Sequence, residues 1–98
     1  MMKSDIRYRM KNKTYVFHSD PGHAWLAVKK RELTELQIMG LITPYSYMKG
    51  ETVYLEEDVD MTTFCRRFEQ ILGQKPKFRE SYLERTPIRH YPQFKVGA

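Results

Sequence analysis

Two histidines and a carboxylate lie close together in the run His18-Ser19-Asp20-Pro21-Gly22-His23. Imidazole nitrogens and carboxylate oxygens hold zinc or non-haem iron, and the same groups can act as a general base with an orienting acid. One reading is therefore a small metal-binding protein or metal-dependent hydrolase using His18, Asp20 and His23. The spacing is no established ligand signature, and further ligands are unspecified. The other reading is architectural. Pro21 fixes φ at the second position of a turn, Gly22 supplies the positive φ of a type II turn, and Asp20 bonds its own backbone. His18 and His23 then stand as cross-strand partners. Ser19 beside them makes no triad, which needs a hydrogen-bonded chain from nucleophile to base to orienter and an oxyanion hole. No catalytic residue and no cofactor are assigned.

Aromatic and charged residues offer binding chemistry instead. Trp25 reads as a sheet-face anchor or as the wall of a pocket beside the histidines. Tyr45, Tyr47 and Tyr54, with Arg7 and Arg9, could form a sheet face on which bases stack. Half-exposed tyrosines on a sheet that carries no ligand are the plainer reading. Glu56, Glu57, Asp58 and Asp60 lack the alternating ligands and sharp-turn glycine of a calcium loop, and read as a solvated loop plus helix cap. No glycine-rich phosphate loop is present, which excludes P-loop and Rossmann nucleotide chemistry. The candidate binding residues are His18, Asp20, His23, Trp25, Arg7, Arg9, Tyr45 and Tyr47.

The chain has 98 residues, 41% of them hydrophobic, enough for one core and too apolar for a disordered segment. Its net charge of +5 is concentrated at the two ends, around a central acidic knot. Basic ends suit a polyanion such as nucleic acid, or are solvated faces, one of which could pair with the acidic knot. A single cysteine, Cys65, excludes an intramolecular disulfide and fits a reducing cytoplasm. Charge follows the first residues instead of an apolar run, so no signal peptide is expected. No stretch has the length and apolarity of a membrane span.

The elements that must position these groups follow from periodicity. Ile6, Tyr8 and Met10 alternate with Arg7, Arg9 and Lys11, which predicts a strand. A hairpin is expected over 14–28, with its turn at Asp20-Pro21-Gly22. A helix follows from Lys29 with Leu33 and Leu36 on one face, closed by Gly40. A second hairpin over 42–56 turns at Lys49-Gly50, and Pro44 makes its first strand an edge strand. Met61, Phe64, Cys65, Phe68, Ile71 and Leu72 recur at helical spacing after a cap at Asp58 or Asp60, and Gly73 ends that helix. Pro76 could open a short helix carrying Phe78, Tyr82 and Leu83. The proline-punctuated tail beyond it wraps back or docks on a partner. The expectation is an α+β domain, a small antiparallel sheet of four or five strands with two helices on one face. Residues 1–75 form the core, and 76–98 an extended or short-helical appendage that is no independent domain.

Two segments, His18-Ser-Asp-Pro-Gly-His-Ala-Trp-Leu26 and Tyr45-Ser-Tyr-Met-Lys-Gly-Glu-Thr-Val-Tyr-Leu-Glu-Glu-Asp58, resemble a group of small uncharacterised proteins of bacteriophages and other mobile elements. Those proteins share the Asp-Pro-Gly-His-x-Trp-Leu turn and the Tyr-Ser-Tyr…Gly…Val-Tyr-Leu-Glu-Glu-Asp hairpin. The resemblance covers roughly the middle half of the chain. It implies a mobile-element origin and a bacterial cytoplasm, and brings no activity with it. The expected role is a non-enzymatic accessory protein that binds a host protein or nucleic acid, with no membrane. The tail Ile88–Phe94 could also be exchanged in a homo-oligomer.

Overall fold

The computed structural model describes residues 3–97; Met1, Met2 and Ala98 lie outside them. The chain opens with a helix, α1 (Lys3–Asn12), where the alternation predicts a strand. Ile6 and Met10 explain the difference. They are four residues apart, so they share a helix face as readily as a strand face. Arg, Lys and Met are good helix formers, and Asp5 in the first turn with Arg9 and Lys11 in the last suits the helix dipole. Met10 is buried, whereas Tyr8, required inward by a strand, is exposed.

Thr14–Ser19 (β1) and Ala24–Lys29 (β2) form the expected hairpin, with Phe17 opposite Leu26 and His18 opposite Trp25. Lys30–Glu35 (α2) ends earlier than Gly40. Gln37 takes a left-handed φ of 59°, and Ile38 N donates to Leu33 O at 3.0 Å. That is the closing bond of a helix C-terminus built without glycine. The second hairpin pairs Tyr47–Lys49 (β3) with Thr52–Glu56 (β4). Its first strand is shorter than expected because residues 42–46 form a turn. The helix Asp60–Leu72 (α3) follows the predicted period and stops at Gly73, which adopts φ 73°.

The segment after Pro76 is a strand, β5 (Lys77–Tyr82), where a short helix is expected. Phe78, Glu80 and Tyr82 alternate with Lys77, Arg79 and Ser81, and β5 pairs in parallel with the otherwise open edge of β1. The five-stranded sheet runs β3-β4-β2-β1-β5 and is antiparallel except at this last pair.

Pairing register fixes two faces. Tyr15, Phe17, Leu26, Val28, Val53 and Leu55 point to one side, where they meet Met10 of α1, Leu33 of α2, and Phe64 and Phe68 of α3. Tyr15 and Phe64 meet edge to face at 5.4 Å between ring centres. Each such side chain stabilises the fold by roughly 1.5–3 kcal/mol on burial. The fold is thus α+β, with the helices on one face. The other face carries Val16, His18, Trp25, Ala27, Tyr47 and Tyr54. The tail crosses part of it. After a short turn at Pro87–His90, Pro92 O accepts from Met48 N at 2.9 Å and Phe94 N donates to Ser46 O at 2.8 Å. Ile88 and Phe94 are buried by this path. No helix among the described residues is long and apolar enough to cross a membrane.

Candidate binding cleft

Asp20 builds the turn between β1 and β2. Its Oδ1 accepts from Gly22 N at 3.0 Å and His23 N at 2.9 Å, while Asp20 N donates to His23 O at 2.9 Å. The predicted positive φ at Gly22 is absent, since positive φ among the glycines occurs at Gly50, Gly73 and Gly97. Gly22 has a different role: a Cβ there would meet Arg89 Nη2 at 3.0 Å. Arg89, brought in by the tail, grips the Asp20 carboxylate through Nη2 at 2.8 Å and Nε at 3.0 Å. These bonds, with the two turn amides, hold the Asp20 carboxyl well below its ordinary range and outweigh the opposing effect of burial.

The register places Trp25, not His23, opposite His18, so the histidines are not cross-strand partners. Trp25 is 2% exposed. The His23 ring stacks on it at 5.9 Å, Tyr47 meets it edge-on at 6.3 Å, and the Arg89 guanidinium lies 5.9 Å from its ring centre. Around this indole opens a cleft of about 430 Å³. His23 comes from the turn and Trp25 from β2, Tyr45 from the loop before β3 and Tyr47 from β3 itself, Glu56 from the end of β4, Glu57 to Val59 from the loop before α3, and Arg89 from the tail.

Buried Asp60 positions the tyrosines. Its carboxylate accepts from Thr43 N at 3.0 Å, from Thr43 Oγ1 at 2.7 Å and from Ser46 Oγ, which fixes the chain around Tyr45. Capping of α3 therefore falls to neither Asp58 nor Asp60. The Glu56 carboxylate does it, accepting from Asp58 N at 2.8 Å, Asp60 N at 2.7 Å and Val59 N. Glu57 and Asp58 are exposed, and their carboxylates take no hydrogen bond or ion pair among the described residues.

The structure divides the predicted site residues. His23, Trp25, Tyr45 and Tyr47 converge on the cleft, and Asp20 supports it through Arg89. His18 lies on the adjoining sheet face, its ring 5.8 Å from that of Tyr54. Burial and the nearby charge of Arg79 push its pKa below the usual histidine value. Arg7 and Arg9 are on α1, away from the sheet face predicted for them, and Arg7 Nε is tied to Glu35 at 2.8 Å. Of the charged groups that line the cleft beyond the candidate set, Glu56 is taken up in capping α3, which leaves Glu57, Asp58 and Arg89. The first two look like ordinary loop acids, and Arg89 is 69 positions from its partner Asp20.

Among the described residues no group of three His, Cys, Asp or Glu side chains is placed to hold a metal ion. Neither imidazole is hydrogen-bonded to a hydroxyl or a carboxylate there. What the arrangement offers is two aromatic walls over a buried indole, one arginine already neutralised by Asp20, and two carboxylates without partners. No protein-family model, curated protein or solved structure matches the chain.

Proposed function

We propose that the protein is a small non-enzymatic binding module whose cleft takes a lysine or arginine side chain of a partner protein. The observation that supports this most is the pairing of exposed Tyr45 and half-buried Tyr47 with the unpartnered carboxylates of Glu57 and Asp58. A cation over a tyrosine face gains about 0.5–2 kcal/mol, more as water is excluded. Neighbouring carboxylates add directed hydrogen bonds to it. The same carboxylates repel phosphate, so nucleic acid does not fit this cleft. The resemblance to mobile-element proteins suggests a partner in the bacterial cytoplasm.

Calorimetric titration with short peptides tests the reading. A peptide bearing one arginine binds, and its glutamine counterpart binds at least tenfold more weakly. Glu57→Gln with Asp58→Asn reduces the arginine peptide to the glutamine level. Equal binding of both peptides, or no binding of either, contradicts the reading.

A further inference from the structure

The part of the open sheet face left uncovered by the tail has the opposite charge character. Lys49 is paired with Thr52, and Thr52 with Lys29. Continuing the β1–β2 register sets Lys29 opposite Thr14, which is paired with Lys77. Three lysines thus lie in one row across all five strands, spanning four strand spacings or about 19 Å. Arg79 stands beside Lys77 in the next row, opposite Val16. None of these four cations is in an ion pair among the described residues. Glu56 is the one acid among the outward positions of the strands, and its carboxylate caps α3.

Rings line the row. Tyr54, half-exposed, is 5.4 Å from Tyr91 of the tail and 5.8 Å from His18. Lys49 Nζ lies 4.9 Å from the centre of the Tyr91 ring. Lys29 Nζ donates to Thr52 Oγ1 at 2.8 Å, which holds it in the row without neutralising it. Flat half-exposed rings among cations outside any ion pair give bases a stacking surface and phosphates a charge track. Duplex bases are already stacked on each other and offer the rings nothing, so the fit is to an unpaired strand.

We propose that this face binds single-stranded nucleic acid, with Lys29, Lys49, Lys77 and Arg79 on the phosphates and Tyr54 and Tyr91 against the bases. The surface is distinct from the acidic cleft, and the two proposals stand or fall separately.

Fluorescence anisotropy of the full chain with a labelled oligothymidylate tests it. Four phosphate contacts give a log–log salt slope of about −2.8, and Lys77→Gln with Arg79→Gln reduces it to about −1.4. Both residues are exposed, so this variant keeps the fold. Tyr91→Ala weakens binding about tenfold at constant slope. Glu57→Gln with Asp58→Asn leaves oligonucleotide affinity intact, which separates this surface from the cleft. The proposal is overturned by no binding at low salt, by a duplex binding as tightly as the single strand, or by an unchanged slope in the double variant. Equal competition by polyglutamate or by phosphatidylserine vesicles also overturns it, because the face would then be a general polyanion surface.

Discussion

Asp20 accepts bonds from Gly22 N, His23 N and the Arg89 guanidinium, and its role is to join the β1–β2 turn to the tail. Its pKa is lowered in the fold, so its stabilisation is fully present above the ordinary carboxylate value of 3.8 and is lost as pH falls below it. Asp20→Asn should remove this acid-dependent part of stability, seen as a flatter dependence of thermal midpoint on pH below 4, whereas a parallel curve would show that the Arg89 bond contributes nothing. His18 behaves in the same sense for a different reason. Burial and Arg79 lower its pKa from 6.5, so the unfolded chain takes up a proton first and stability declines as pH drops below that value. His18→Asn should level the curve just below pH 6.5, measured as the thermal midpoint against pH. The turn itself is legible in the sequence, because an aspartate bonds amides two and three positions on. Arg89 is not, because no local pattern links it to Asp20.

At the scale of elements, the hairpin over 14–28 and the helix α3 are legible because their periods admit one interpretation. Phe64, Phe68 and Leu72 recur at four-residue intervals and all are buried. Phe64→Ala should cost about 3–5 kcal/mol, measurable by urea unfolding. The first helix is ambiguous in the sequence, because Ile6 and Met10 satisfy both periods and the third alternating residue, Tyr8, faces solvent. β5 is ambiguous for another reason. Its alternation of Phe78 and Tyr82 with charged residues is short, and what decides it is a free edge on β1 that sequence alone does not reveal. The end of α2 falls at Gln37 rather than at a glycine, and its φ of 59° carries strain for a residue with a Cβ. Gln37→Gly should therefore raise stability by about 0.5–1 kcal/mol, against the usual direction for glycine.

Across the whole molecule, the tail completes the domain by crossing the sheet face opposite the helices. It buries Ile88 and Phe94, supplies Arg89 to the cleft, and lays Tyr91 on Tyr54. It also separates the acidic aromatic cleft from the row of cations, which gives one small sheet two surfaces of opposite charge. A chain ending at Arg85 should lose the Arg89 cover and expose Trp25, shifting its emission to longer wavelength. Trp25 is the sole tryptophan, so that emission reports the cleft directly. The most direct test of the cleft's role uses the same signal in the intact protein. Titration with an arginine-bearing peptide should change Trp25 emission saturably, and the change should vanish in Glu57→Gln with Asp58→Asn. A response of equal size to the glutamine peptide, or a response to arginine that survives the double substitution, would contradict a cleft built for a cation.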